Sequence, residues 1–114
     1  MTQLEAMAAT LAIEACAGAL LAPKLGRQRW KVALVLVAGS LCTHPFAWAS
    51  NQALAAHWAF APRAALIEVV VAIVEGAMLA LALRVAWRPA LATGFAVNAA
   101  SFGLGLLWWW WGVM

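Results

Sequence analysis

Three of the four acidic residues of this 114-residue chain, and one of its two histidines, lie inside nearly unbroken apolar sequence. Glu14 sits in "LAIEACAG", His44 in "SLCTHPFAWAS", and Glu68 and Glu75 in "IEVVVAIVEG". An ionisable side chain in such surroundings costs several kcal/mol or is neutralised, so it faces an interior and serves a purpose there. Carboxyls and an imidazole can hold a proton, a cation or a metal ion. Ser40, Thr43, Asn98 and Ser101 lie in the same kind of sequence and add neutral oxygens and donors. Spacing groups these residues. Glu68 and Glu75 are seven apart, nearly two helical turns, so they look the same way. Asn98 and Ser101 are three apart, and Ser40 and His44 four, so each pair shares a helix face.

The elements that carry them are four apolar runs, at about 4–22, 32–50, 64–83 and 90–111. Each is close to the roughly 20 residues that a transmembrane helix requires. Helices satisfy their own backbone hydrogen bonds in lipid. The expected fold is therefore all-α: a polytopic membrane protein, one domain over 1–114, with four transmembrane helices. Short connections predict an up-down bundle. Pro23 is expected to end the first run, and the start "MTQLEAMAAT" lacks the basic region of a signal peptide.

Six of the seven Lys and Arg residues fall in two connections, "PKLGRQRWK" and "RVAWRP", and only Arg63 in the third. The positive-inside rule puts both basic loops in the cytoplasm and both termini outside. Trp30 and Trp87 mark one interface. Trp48, Trp58 and the run Trp108 to Trp111 mark the other, as two aromatic belts. In that frame His44 and Glu68 share an outer layer. Glu14, Glu75, Asn98 and Ser101 lie near the midplane. Two midplane carboxyls in so small a bundle cannot both stand as isolated charges: one is protonated, or they share a cation. Pro45 removes one backbone hydrogen bond and frees the Leu41 carbonyl as a further candidate oxygen.

Composition excludes several classes. The chain is 68% hydrophobic and 10% charged, against roughly 45–50% and 25% in soluble domains. Its net charge of +3 forms no basic face, and no phosphate loop or RNA-type aromatic motif occurs, so no nucleic-acid partner is expected. Cys16 and Cys42 lack zinc-site spacing and read as small buried hydrophobes. A nucleophilic hydrolase is not favoured, and no catalytic residue is assigned. Small residues four apart, at Ala8, Ala12, Ala15 and Ala19, at Ala99 and Gly103, and at Ser101 and Gly105, mark packing faces. The bilayer is the expected surrounding, with a second copy or a membrane-complex subunit as partner.

The order T-H-P (Thr43-His44-Pro45), E-x6-E (Glu68 to Glu75) and N-x-x-S (Asn98 to Ser101), over residues 40–105, resembles a group of small prokaryotic membrane proteins of unassigned function. That resemblance implies four helices in a prokaryotic inner membrane and no established activity. The chain lacks the arginine and histidine motifs of the CAAX-protease-like proteins and the Cys, Arg and His set of the sortase-like peptidases.

Three functions follow as expectations. The first is a carrier or conduit for a proton, cation or small solute. Its ligands are Glu14, Glu75, Asn98 and Ser101, with Thr43 beside them and His44 and Glu68 as the outer relay. The second is a non-catalytic accessory subunit of a membrane complex. The third is an intramembrane metalloenzyme holding a metal on His44, Glu68 and Glu75, although catalytic zinc takes three protein ligands and prefers more nitrogen or sulfur. No cofactor is identifiable, and binding or transport is favoured over enzymatic activity.

Overall fold

The computed structural model describes residues 2–113, except for the side chains of residues 3, 6, 108–110, 112 and 113. The chain is all-helical: α1 (Gln3–Leu25), α2 (Arg29–Leu54), α3 (Phe60–Leu83) and α4 (Trp87–Val113). All four are long and apolar enough to cross a membrane. Every helix outruns its apolar run at one end or both, because polar and aromatic flanks continue the helix. Thr2 and Glu5 form a capping box at the start of α1, which satisfies two backbone donors that the first turn leaves free. Pro23 does not end α1. The helix runs two residues further and closes at Gly26, in the left-handed conformation (φ 66°) that glycine adopts without strain. Pro62 and Pro89 lie in the first turns of α3 and α4, where a missing N–H costs no intrahelical bond. Pro45 lies inside α2, which continues through it.

Helix α1 packs on α2 and α4, and α3 also packs on α2 and α4. The molecule measures 41 × 27 × 19 Å, so its long axis matches the about 40–45 Å of a bilayer with its headgroups. Polarity is inverted relative to a soluble domain. Glu14, Ser40, Glu75 and Asn98 are buried, whereas Leu20, Phe46 and Leu81 are exposed. Val69, Val70, Ile73 and Val74 also face outward. Surfaces of this kind suit lipid and not water.

The close helix contacts are made by glycines. A Cβ on Gly94 of α4 would lie 2.5 Å from the Ala72 carbonyl oxygen and 2.9 Å from the Gly76 nitrogen of α3. A Cβ on Gly18 of α1 would collide with Leu36 Cδ1 of α2, and one on Gly39 would lie 3.3 Å from Glu75 Cγ. Within the chain the alanine row on α1 is not the main seam: Ala8 and Ala12 are exposed, Ala15 and Ala19 half-buried, and the buried line runs through Glu14, Gly18 and Ala22. Alanine is tolerated equally against lipid, so a row of it does not mark a seam. Ala99 is exposed, and among the described residues Gly103 and Gly105 have no neighbouring atom within 4 Å of an added Cβ. The cysteines, expected inside, are free and exposed on the outer faces of α1 and α2.

The two basic connections lie at one end of the molecule. Arg27, between α1 and α2, donates from Nε to the Leu83 carbonyl (2.9 Å) and from Nη2 to the Arg84 carbonyl (3.0 Å). It thereby caps the C-terminal end of α3, where free carbonyls favour a cation. Arg84 itself takes the left-handed conformation (φ 53°), uncommon for a residue with a side chain. At the third connection Arg63 donates to Asn51 Oδ1 (2.7 Å) and to the Trp58 carbonyl (3.1 Å).

Candidate functional site

One polar residue from each helix meets the others in the interior. Glu14 comes from α1, Ser40 from α2, Glu75 from α3 and Asn98 from α4, and each is at most 5% exposed. The Ser40 hydroxyl contacts Glu14 Oε2 and, at 2.9 Å, Glu75 Oε1. Asn98 Nδ2 donates to Glu75 Oε2 at 2.7 Å and to the Gly94 carbonyl, one turn back, at 2.8 Å.

The glycine contacts explain why these side chains reach. Gly18 is one turn from Glu14, and Leu36, which it receives, is one turn from Ser40. Gly39 precedes Ser40 and lets Glu75 lie against α2. Gly76 follows Glu75, and Gly94 lies one turn before Asn98. A bulkier residue at any of these seams would lengthen the hydrogen bond beside it.

A serine hydroxyl carries one proton. Ser40 can therefore donate to only one of its two carboxyl neighbours. At the other it accepts, and an acceptor hydroxyl needs a protonated carboxyl opposite. Asn98 spends both amide protons, one on Glu75. Glu75 thus has a partner at each oxygen, whereas Glu14 Oε1 is buried with none among the described residues.

The network forms the floor of a cavity of about 190 Å³. All seven residues singled out in the sequence, Glu14, Thr43, His44, Glu68, Glu75, Asn98 and Ser101, line it. Thr43, His44, Glu68 and Ser101 are half-buried, and none of the four takes part in the hydrogen-bonded network. The His44 ring stacks on Trp48, with centroids 6.2 Å apart, and its buried Nε2 has no partner. Leu41 does not line the cavity and its side chain is exposed. It lies about a quarter-turn around α2 from the face that bears Ser40, His44 and Asn51. Among the described residues, no three His, Cys, Asp or Glu side chains converge as a metal site, and no lysine or arginine lines the cavity.

Other lining residues, Thr10, Asn51, Phe60 and Phe102 among them, carried no sequence signal as site members. Ser40 had one, its helical phase with His44, but not its place between two carboxyls. No family model, curated protein or solved structure matches the chain.

Proposed function

We propose that this chain is a small integral membrane protein that binds a proton on the Glu14–Ser40–Glu75 triad and moves it, or a cation exchanged for it, through the cavity. The observation that carries this reading is the single hydroxyl shared by two buried carboxyls. With Glu75 supplied by Asn98 and Ser40, the proton rests on Glu14. In a concerted double transfer Ser40 accepts the Glu14 proton as it gives its own to Glu75, which reverses both hydrogen bonds, and rotation of the hydroxyl then resets the relay. His44 and Glu68 line the same cavity and serve as the relay to its mouth.

The orientation follows the charge asymmetry. The two connections joined through Arg27 hold six of the seven Lys and Arg residues, so they lie in the cytoplasm and both termini outside, in the inner membrane of a prokaryote. The helices then run up and down in chain order, and the Arg63 end carries the outer mouth.

The test is reconstitution in liposomes under an imposed pH gradient, with infrared difference spectra of the same samples. The wild type is expected to take up protons and to show the carbonyl band of a buried carboxylic acid. Glu75→Gln is expected to lose the uptake. Equal uptake by wild type and variant would refute the reading.

A second reading, an accessory or self-associating subunit, is favoured by the outer half of α4, where among the described residues an added Cβ on Gly103 or Gly105 meets no atom of another helix within 4 Å. Native mass spectrometry in mild detergent separates the two: a stoichiometric partner supports it, and a lone chain opposes it.

A further inference from the structure

Beyond the proton itself, we infer that the cavity binds a small organic ammonium ion, with the cationic head on Glu14 and an apolar body against the aromatic wall. This inference rests on the triad being a proton site and names what exchanges for the proton.

Four observations carry it. Glu14 is fully buried, yet its Oε1 is unpartnered and borders the cavity. Buried carboxyl oxygens are normally satisfied, so a donor belongs there. The cavity is also too large for a bare ion. Its about 190 Å³ equals the share of roughly six waters, at about 30 Å³ each. Thirdly, the walls are of mixed chemistry. Trp48, Phe60 and Phe102 line the space together with the carboxyls, and aromatic faces attract desolvated cations. Finally, among the described residues the lining holds three carboxyls and no lysine or arginine. The site therefore complements positive charge, whereas among the described residues no three His, Cys, Asp or Glu side chains converge as a metal site.

The titratable groups facing Glu14 are His44 on α2 and Glu68 and Glu75 on α3. Helix α4 contributes Asn98 and Ser101, which do not titrate. Arg63 does not line the cavity but donates to Asn51, which does. Binding exchanges one cation for one proton. The ammonium ion enters, the Glu14 carboxyl gives its proton to water, and the resulting carboxylate accepts a hydrogen bond from the ammonium N–H. Charge in the cavity is unchanged, so the exchange strands no additional charge in lipid.

Calorimetry on the protein in nanodiscs tests this with benzylammonium, its neutral counterpart benzyl alcohol, and sodium ion. Benzylammonium is expected to bind saturably and to release one proton, read from the dependence of the heat on buffer ionisation. Its affinity should rise about tenfold per pH unit while Glu14 is protonated. Glu14→Gln should lose at least ten-fold in affinity. The proton release is measured on the wild type, so it stands even if the variant fails to fold. Equal binding of benzyl alcohol, equal competition by sodium, or binding without proton release each overturns the inference. Proton uptake in liposomes without any benzylammonium binding would refute the ligand assignment alone. Absence of both would refute the proton site as well.

Discussion

At the scale of single residues, Ser40 is the side chain on which the interior depends. It joins carboxyls from two helices through one hydroxyl, and no other donor replaces it at Glu14. Ser40→Ala should leave two carboxyls facing each other across a small void. The expected cost is about 1–3 kcal/mol, that of a buried polar group losing its partner, read as a lower melting temperature in detergent. Proton uptake should slow by roughly tenfold, equivalent to ~1.4 kcal/mol on the barrier. Ser40→Thr keeps the hydroxyl and should recover most of the uptake. A Ser40→Ala variant with wild-type uptake would rule out the relay. Sequence reading reached the carboxyls and the asparagine because acid and amide groups are costly in lipid and conspicuous there. It did not reach the bridging role of Ser40, since serine is common in membrane helices and only the mutual rotation of three helices puts its oxygen between two acids.

At the scale of elements, the helices were legible and their seams were not. Hydropathy locates four spans because lipid demands continuous apolar length. It says little about ends, where Arg29, Lys31 and Trp87 remain helical, or about which small residues meet. The contacts that matter pair Gly94 with Gly76 and Gly18 with Leu36, while the more regular alanine row lies elsewhere. Substitution should separate the two kinds of small residue. In Gly94→Ala, the new methyl meets backbone atoms of α3 that cannot swing aside. Destabilisation of about 1–3 kcal/mol is expected from overpacking, with loss of the Asn98–Glu75 hydrogen bond. Gly103→Ala meets nothing within 4 Å and should be neutral, or stabilising by up to about 1 kcal/mol from helix propensity. Thermal unfolding of both variants in one detergent checks the contrast. Equal effects would mean that the α3–α4 seam is not where the glycines place it.

At the scale of the whole molecule, the orientation is open to direct measurement. Reporter domains that work only outside the cytoplasm should be active when fused to either terminus, and a cysteine introduced at Gln28, in a chain with Cys16 and Cys42 replaced, should be labelled only from inside. A cytoplasmic C-terminus would invert the proposed path from mouth to triad. The Arg27 latch has a consequence of another kind. Its acceptor at Leu83 lies 56 residues further along the chain. A ribosome releases the arginine long before it makes the carbonyls that receive it. The first hairpin must therefore wait in the membrane with its Arg27 corner unfastened, and the latch closes only once α3 is complete. Glu75 arrives on that same helix, so the fastening of the corner and the pairing of the two acids belong to a single late event in the biogenesis of the protein.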